Sequence, residues 1–493
     1  MACADASNGG VDGLCIPRFL WEAIDASKFP QRSIEPRMAA SQIQGLRNLD
    51  ATPRLNLASF VTTFMEPECR ELMEEAIAVN YIDTEEYPST EKIKEMCVSM
   101  LADLWHADLG ASKATGTDTV GSSEAVLLAG LAMKRRWQDR RKAAGLDASR
   151  PNIVMGTETH VVWEKLTRYF EIEPKWVTNR PGHYHALNED LIAACDENTI
   201  GVVAILGTTY TGHFYDVEEL DSLVAAKNEE TGWQLGIHVD AASGGFVAPF
   251  VFPDMKWDFR LSNVVSINAS GHKFGLVYPG LGWVMWRSRQ YLPESLVFHD
   301  NYLGKDQITI TLNFSKGAMN VVGQLYQFTR MGFPGYREIN RHMQHTAERL
   351  REGLVKMGSF EVISASDRCL PLVAFHLKDV EGRAYDEFNI ADRLKTFSWV
   401  VPAYTLAAGN QARKVLRVVC RWDFSPTLTN ELLDDLQEAL DWLEVHYIYT
   451  KDQLDKIKAT SIKLAEEKVR SSSITSKWPS VHRLQSLAER GKC

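Results

Sequence analysis

The chain has 493 residues, and its 54 Lys and Arg against 64 Asp and Glu give a formal net charge of −10. Hydrophobic residues make up 45% and charged residues 24%, which excludes dominant disorder because there is ample apolar surface to bury. The acidic balance argues against nucleic acid as a partner.

The first 57 residues are predicted to form an irregular arm with helical patches, interrupted by prolines and used for oligomer contacts. Residues 58–342 alternate between strands and helices and predict a large α/β domain. Its strands are expected at 152–155, 201–206, 235–239, 264–268 and 283–286, and its clearest helices at 125–144 and 218–230. Most of these strands are short and apolar on both faces, as in a parallel sheet covered on both sides.

Residues 343–450 predict a smaller α+β domain. Its helices are expected at 342–357, 390–397 and 430–446, and its strands at 372–377 and 415–419. Residues 451–493 form a tail that begins with a predicted charged helix over 452–469. From Lys468 to Cys493 there are six basic residues and one acidic residue, so the total of −10 divides into +5 here and −15 before it.

Eight cysteines are spaced without a CxxC pair or a zinc-binding pattern. We therefore expect reduced thiols and no metal site. The N-terminal residues lack the features of a secretory or transit peptide, and no apolar run reaches the ~18 residues of a membrane span. These observations predict a cytoplasmic protein that does not use a membrane as a partner.

The strongest chemical signal is Ser266-Ile-Asn-Ala-Ser-Gly-His272-Lys273-Phe-Gly. It places a lysine among small and apolar residues directly after a predicted strand. A lysine at a strand end is in most proteins a solvated surface charge. Small, apolar flanks favour an amine in a cleft, where burial stabilises its neutral form.

A carboxylate lies 33 residues upstream, where the strand Ile237-His-Val ends in Asp240-Ala-Ala-Ser-Gly-Gly. A desolvated lysine and a carboxylate at two strand ends suit pyridoxal phosphate. The lysine forms a Schiff base with the cofactor aldehyde, and the aspartate keeps the pyridine nitrogen protonated so that the ring accepts electrons. The two motifs together predict a pyridoxal-phosphate site.

A candidate phosphate cradle opens the helix predicted after Gly121-Ser122-Ser123-Glu124-Ala125. Ser and Glu at this place are compatible with ordinary N-capping, but a helix N-terminus with hydroxyl groups also binds anions. Thr208-Thr209-Tyr210-Thr211-Gly212 adds hydroxyl groups after the strand at 201–206, at the kind of strand end where α/β sheets bind ligands.

These motifs resemble those of the group II pyridoxal-phosphate decarboxylases of fold type I, and most closely the glutamate decarboxylases. The resemblance covers roughly residues 30–450. It implies an α/β fold with a mainly parallel seven-stranded sheet in the large domain. The basic tail resembles the calmodulin-binding extension of the plant branch. Further matching segments are Asn80-Tyr-Ile-Asp83-Thr-Glu-Glu-Tyr-Pro, Leu104-Trp-His, Asp196-Glu-Asn-Thr-Ile-Gly and Asn313-Phe-Ser315.

The resemblance implies a role for individual cofactor contacts. Lys273 would form the Schiff base, Asp240 would pair with the pyridine nitrogen, and Thr209 would lie against the cofactor near its hydroxyl group. The phosphate would be held by Ser122, Ser123, Ser270, His272 and Ser315 of the partner subunit.

Substrate contacts follow only from the resemblance, because no spacing in the sequence marks a γ-carboxylate site. Ser59 and Phe60 would receive the distal carboxylate of glutamate. They would be joined there by Asn80 of the partner subunit and Asp83 of the partner subunit. Arg421 would take the α-carboxylate. An aspartate beside a substrate carboxylate implies a shared proton, so we expect a preference for mildly acidic conditions.

Two further residues are implied to act on the substrate or the ring. His160, in Gly156-Thr-Glu-Thr-His-Val-Val-Trp, would lie against the ring face, where bacterial glutamate decarboxylases carry a glutamine. A core histidine is the alternative. Tyr302, in the loop 299–311, would act as a gate or proton donor, with an exposed loop tyrosine as the alternative.

The tail carries four apolar residues that share one face if the segment is helical. Basic residues surround that face, and Pro479 is tolerated in a first helical turn. This pattern predicts a ligand for the groove of Ca²⁺-loaded calmodulin, with a helix packed on its own body as the alternative. We hypothesise that the free tail occludes the active site and that calmodulin relieves this. The four apolar residues are Trp478, Val481, Leu484 and Leu487.

The predicted protein is a pyridoxal-phosphate-dependent enzyme that decarboxylates L-glutamate through an external aldimine to γ-aminobutyrate and CO₂. Because residues of the partner subunit complete the implied site, it is expected to be at least a homodimer, and a hexamer stays open. One alternative is a fold type I decarboxylase of aromatic or sulfur-containing amino acids, against which Asn80 and Asp83 argue. The other is a calmodulin-binding scaffold with an inactive enzyme fold, against which Lys273, Asp240 and His272 argue.

Overall fold

The computed structural model describes residues 27–107, 114–300, 307–378 and 383–447, with seven further positions at 24, 453, 456, 459, 460, 463 and 464. The last six of these are helical and fall within the predicted helix 452–469. Several predicted functional residues lie outside the described residues: Tyr302, Trp478, Val481, Leu484 and Leu487.

The chain divides into two compact units, residues 1–55 and 56–493. In the first unit, helix α1 (Pro36–Arg47) begins with a proline, which is accepted there because the first helical N–H groups have no partner within the helix. A short 3₁₀ turn, Pro53–Leu55, follows. The predicted use of this arm in oligomer contacts stays a prediction.

The second unit contains a seven-stranded sheet, and this confirms the predicted fold class. Its strands are β1 (Thr115–Thr119), β2 (Asn152–Gly156), β3 (Glu173–Val177), β4 (Thr199–Ile205), β5 (Ile237–Asp240), β6 (Val264–Ala269) and β7 (Gly282–Trp286). Their order across the sheet is β1-β7-β6-β5-β4-β2-β3. Only β7 runs antiparallel to its neighbours. Five strands are buried along their whole length, which explains their apolar sequences.

Helices pack against this sheet and extend beyond it. They are α2 (Pro67–Glu75), α3 (Pro88–Leu104), α4 (Ser122–Ala143), α5 (Val161–Tyr169), α6 (Asn188–Ala193), α7 (Val217–Thr231), α8 (Ala248–Val251) and α9 (Met319–Met357). The two predicted helices, 125–144 and 218–230, correspond to α4 and α7. Helix α4 packs on β6 and β7. It begins directly after β1, which runs in the same direction as β6, so its N-terminus lies at the sheet edge where the parallel strands end.

Helix α9 is broken at Gly332, whose φ of 53° and ψ of −173° lie in a region that is almost exclusive to glycine. Pro334 follows and removes one helical hydrogen bond. The predicted start of this helix at 342 was therefore wrong, because the helical segment after the break begins directly after Gly332, and another helical segment precedes the break.

The C-terminal part of the unit carries the smaller sheet. A short hairpin, β8 (Phe298–Asp300) with β9 (Gln307–Thr309), precedes it. The four antiparallel strands are β10 (Phe360–Val362), β11 (Leu372–Leu377), β12 (Ala403–Thr405) and β13 (Lys414–Val419), in the order β10-β11-β13-β12. Helices α10 (Glu387–Leu394) and α11 (Pro426–His446) accompany them, as the α+β prediction requires.

Five cysteines in the described ranges, at 69, 97, 195, 369 and 420, are buried and free. Among the helices that the structure describes, none is long and apolar enough to cross a membrane. The cytoplasmic location stays a prediction.

Candidate active site

The predicted lysine and aspartate lie at the ends of neighbouring strands. Asp240 is the last residue of β5 and pairs in register with Asn268 of β6, and Lys273 follows β6 by four residues. Thr209 follows β4, the next strand of the sheet, and His160 follows β2 beyond it. Because the carboxyl ends of parallel strands meet at one edge, the sheet brings these side chains to a common site.

The Asp240 carboxylate is fixed by three hydrogen-bond donors. Trp163 Nε1 donates to Oδ2 over 2.9 Å, and Asn268 Nδ2 and the backbone N–H of Ala242 donate to Oδ1 over 3.1 and 3.2 Å. The side chain is 7% exposed. A buried carboxylate whose orientation is fixed in this way can accept a proton-bearing ring nitrogen without rearranging.

A buried histidine, His238, fixes the orientation of Asn268 and so supports the Asp240 carboxylate. His238 Nδ1 lies 2.7 Å from Ser266 Oγ, and its Nε2 lies 2.7 Å from Asn268 Oδ1. Burial lowers the pKa of His238, so the ring is neutral. Since Asn268 donates to Asp240 through its nitrogen, its oxygen must accept from His238, and this fixes both the amide orientation and the tautomer.

Lys273 is half-buried, and its Nζ lies 3.4 Å from Ser243 Oγ and 5.4 Å from the centre of the Phe60 ring. Its pKa is lowered, because burial disfavours the ammonium form more than the Asp240 carboxylate stabilises it, and Arg417 adds repulsion. The amine is therefore biased towards the neutral, nucleophilic form that a Schiff-base lysine needs.

Arg417, on β13, is a component of the site that sequence reasoning missed. Its guanidinium is 4.8 Å from the Phe60 ring centre and donates to the carbonyl oxygens of Thr209 at 2.5 Å and Ala58 at 2.7 Å. Its Nε is buried without a partner. In the part of the chain that the structure describes, no carboxylate forms an ion pair with it, so it is a buried cation available to an anionic ligand.

The predicted phosphate residues Ser122, Ser270 and His272 lie together. Ser270 Oγ donates to Ser122 Oγ over 2.8 Å, and Ser122 is the first residue of the 22-residue helix α4. Ser123 is exposed in the same helical turn. A helix N-terminus with hydroxyl groups is a suitable receptor for a phosphate.

His272 has a buried Nδ1 that lacks a hydrogen-bond partner. Burial and the neighbouring Lys273 lower the pKa of His272 to about 4, so the ring is neutral at physiological pH. An unpaired buried ring nitrogen beside two serine hydroxyls and a helix N-terminus fits a phosphate oxygen. Together with Lys273 and Asp240, these residues fit pyridoxal phosphate.

Glu124 does not belong to a capping box, since the helix has no side-chain N-cap. Its carboxylate instead accepts from the backbone N–H of Val120 at 2.8 Å, before the phosphate turn, and from that of Leu312 at 2.8 Å. Glu124 therefore connects the turn to a distant loop.

His160 is the N-cap of α5, where its Nδ1 accepts from the backbone N–H of Val162 at 3.2 Å. Partial burial and Lys273 lower its pKa. With Thr209 and Arg417 it lines one end of a cavity of about 580 Å³ that continues to β12. Stacking of His160 on the ring stays a prediction.

The predicted substrate residues fall into two groups. Phe60 lies beside Lys273 and Arg417 and contacts Phe274 edge-on, while Ser59 Oγ accepts from the backbone N–H of Val61. Arg421 is 3% exposed, donates to the carbonyl oxygens of Asn56 and Ser59, and faces Asp423. Its guanidinium thus has a carboxylate partner within the protein, whereas that of Arg417 donates to backbone carbonyl oxygens and pairs with no carboxylate in the part of the chain that the structure describes.

The second group contains Asn80, Asp83 and Ser315, which the resemblance assigned to the partner subunit. Asn80 forms a β-bridge with Gly317, and Asp83 Oδ1 accepts from the backbone N–H of Glu86 at 3.2 Å. Ser315 lines a small cavity beside Glu124. None of the hydrogen bonds described for these residues reaches Lys273 or Asp240.

Comparison with known proteins agrees with this geometry. The model of the pyridoxal-dependent decarboxylase conserved domain matches residues 30–378. A glutamate decarboxylase of Petunia hybrida is 51% identical over 428 residues, which cover 87% of this chain and 85% of that protein. A glutamate decarboxylase of Lactococcus lactis subsp. cremoris is 43% identical over 440 residues, covering 88% and 94%. The structure of Lactobacillus brevis CGMCC 1306 glutamate decarboxylase superposes with a TM-score of 0.85 at 43% identity, covering 88% of this chain and 98% of that one.

The phosphate turn leads to a prediction about Gly282, the first residue of β7. A Cβ at this position would lie 2.6 Å from the backbone nitrogen of Ser122 and closer still to the carbonyl carbon of Gly121. Gly282→Ala should displace the start of α4 and weaken binding of pyridoxal phosphate about tenfold, or about 1.4 kcal/mol. Titration of the apoprotein, followed by visible absorbance, measures this. Gly45→Ala in α1, where a Cβ would meet nothing within 4 Å, should bind as the parent does. Equal affinity of both variants would contradict the role of Gly282.

Proposed function

The chain belongs to the pyridoxal-dependent decarboxylase family, and on that basis we propose that it is a glutamate decarboxylase that forms γ-aminobutyrate and CO₂ from L-glutamate. The observation that carries this proposal is the buried Lys273 beside the fixed carboxylate of Asp240, in a chain similar over most of its length to plant and bacterial glutamate decarboxylases. An aromatic or sulfur-containing amino acid is the competing substrate class.

The residues divide the chemical work between them. Bound pyridoxal phosphate supplies the electron sink for the pair left when the bond to the α-carboxylate breaks. Asp240 holds the proton of the ring nitrogen, and Trp163 and Asn268 hold Asp240 in place. Lys273 would hold the cofactor aldehyde through its neutral amine. Ser122, Ser270 and His272 anchor the phosphate.

We assign the α-carboxylate of the substrate to Arg417. This guanidinium is buried, is unpaired at Nε, and lies over the Phe60 ring close to Lys273. An uncompensated buried cation gains most when an anion arrives, because little water competes for it. Arg421 stays the sequence-based candidate for this role, but its guanidinium already faces the Asp423 carboxylate.

The function is tested by CO₂ release from a panel of amino acids, measured at pH 5.8 and 7.2. We expect glutamate to be the preferred substrate, with a higher rate at pH 5.8, because the resemblance implies that Asp83 of the partner subunit lies beside the substrate γ-carboxylate. Lys273→Ala should lose activity by at least about 10³-fold, the range for loss of a covalent catalytic group, together with the visible band of the bound cofactor. Faster turnover of tryptophan or methionine would reject glutamate as the substrate. A flat rate profile from pH 5 to 8 would reject the shared proton.

The two arginines are distinguished by matched substitutions. Arg417→Lys should lower kcat/KM for glutamate by about 10²-fold, since a lysine cannot make the same two backbone contacts while presenting a planar donor to a carboxylate. Its affinity for pyridoxal phosphate should stay within about threefold of the parent, a change of less than 1 kcal/mol. Arg421→Lys should instead lower the midpoint of thermal unfolding, because it disrupts contacts with Asn56, Ser59 and Asp423. If Arg421→Lys alone lowered kcat/KM, the assignment would move to Arg421.

We further propose that the enzyme works as a homo-oligomer in the cytoplasm and is activated by Ca²⁺-loaded calmodulin through its basic tail. The support is the sequence pattern around Trp478, whose apolar residues recur every three positions among basic ones. An amphipathic basic segment following an acidic body suits a groove on an acidic protein.

Deletion of residues 471–493 tests this regulation. If the tail occludes the active site, the truncated enzyme should be more active than the full chain at pH 7.2 without calcium, and calmodulin should no longer affect it. Trp478→Ala in the full chain should keep the low basal rate and lose the response to calmodulin. Unchanged activity after truncation would refute occlusion, and an intact calmodulin response in Trp478→Ala would refute the predicted binding face.

A further inference from the structure

Two loops that are far apart in the sequence form one structural unit, which we call the paired loops: residues 79–83 and 312–318. The backbone N–H of Tyr81 donates to the Lys316 carbonyl over 2.9 Å, and the N–H of Ala318 donates to the Val79 carbonyl over 3.1 Å. The N–H of Lys316 donates to Asn80 Oδ1 over 2.8 Å. The paired loops therefore carry Asn80, Asp83 and Ser315 as a single body.

One buried carboxylate joins the two loops to β1. Asp118 is 5% exposed and accepts hydrogen bonds from the Tyr81 hydroxyl and from Lys316 Nζ, one donor from each loop. Burial by itself would raise the pKa of Asp118, but the Lys316 ammonium and the Tyr81 hydroxyl, with a smaller effect of Lys94, together lower it. The ion pair is well shielded, since the Lys316 side chain is only 12% exposed.

A second buried carboxylate holds the other end of the same unit. Glu124 is 7% exposed, and its Oε1 accepts from the backbone N–H groups of Leu312 and Asn313 over 2.8 and 3.3 Å. Its Oε2 accepts from Val120 N–H over 2.8 Å. Glu124 thus links the paired loops to the segment that precedes α4.

These two carboxylates flank the phosphate-binding turn of their own chain. Asp118 lies three residues before Gly121, and Glu124 lies two residues after Ser122. The frame that holds the cofactor phosphate in one subunit is therefore the frame that anchors the paired loops. Those loops make no described contact with Lys273 of their own chain, although the resemblance gives them ligands for a cofactor and a substrate.

We propose that Asp118 and Glu124 are positioning residues that act across the subunit boundary: each subunit's own phosphate turn holds the paired loops that complete the partner's active site. The inference rests on the proposed glutamate decarboxylase function and on a dimer. It explains why two carboxylates with no cofactor contact of their own are buried beside the cradle. It also means that removing Lys316 damages the partner's site and leaves the site of its own subunit intact.

Mixed dimers with two affinity tags test this directly. In the first arrangement, one subunit carries Lys273→Ala and the other carries Lys316→Met. The remaining Lys273 then receives intact loops from its partner, so CO₂ release should return to about half of the wild-type value per dimer, because one of two sites is complete. Each homodimer should be at least about tenfold below wild type, which corresponds to 1.4 kcal/mol.

In the second arrangement, one subunit carries both substitutions and the other is wild type. The only Lys273 now receives loops without Lys316, so activity per dimer should fall to about half that of the Lys316→Met homodimer, which has two such sites, with a raised KM for glutamate. Tyr81→Phe in place of Lys316→Met removes the donor that the other loop directs at Asp118; it should give the same pattern, and it covers the case in which loss of Lys316 prevents folding. Lys92→Met is the control, since Lys92 is an exposed lysine of α3, the helix that follows the first of the paired loops. It should be as active as wild type in every combination.

Equal activity of the two arrangements, or failure of the first to recover with both variants, would overturn the inference, because either result means that the carboxylates act within one subunit. The proposed function fails separately if the wild-type dimer releases no CO₂ from glutamate. In that case the affinity of the remaining Lys273 site for pyridoxal phosphate, compared between the two arrangements, still decides the inference.

Discussion

The structure depends on one constraint. The Lys273 amine and the Asp240 carboxylate must lie close together in a place with little water, and yet they must not form an ion pair that keeps the lysine protonated. Removing Lys273 from water makes its ammonium form costly, and this is the source of its reactivity. Asp240 avoids collapse onto the lysine because Trp163, Asn268 and a backbone N–H already occupy its oxygens. The hydrogen bonds from His238 to Asn268 and from Asn268 to Asp240 thus hold the Asp240 carboxylate in a fixed orientation.

The same constraint explains the single antiparallel strand. If β7 ran parallel to its neighbours, its first residue would lie at the opposite edge of the sheet. Because it is reversed, Gly282 pairs with Thr119 next to the phosphate turn, and the absence of a side chain there allows the start of α4 to approach. One reversed strand and one glycine therefore bring the phosphate cradle to the edge at which Lys273 and Asp240 lie.

Much of the sheet could be predicted because buried parallel strands have uniformly apolar sequences, as in β4 and β6. Strand β1 could not, since Thr-Gly-Thr-Asp-Thr has no apolar pattern, and its burial comes from pairing with β7. The Schiff-base lysine and its aspartate were found because their motifs are contiguous. Arg417 was missed because a single arginine within the strand sequence Lys-Val-Leu-Arg-Val-Val belongs to no motif that would indicate a ligand site. Only the tertiary fold shows that it faces Phe60 while Arg421 faces Asp423.

The balance of charge in the described part of the site indicates what it is built to receive. Burial lowers the pKa of both Lys273 and Arg417, and Asp240 is the carboxylate whose charge acts on Lys273. A buried guanidinium without a carboxylate destabilises the empty protein, because its desolvation is not compensated by an ion pair. A phosphate at the α4 N-terminus and a substrate carboxylate at Arg417 supply negative charge. Binding of these ligands should therefore raise the free energy of unfolding. The site is therefore preorganised for an anionic cofactor and an anionic substrate, at the expense of the stability of the ligand-free chain.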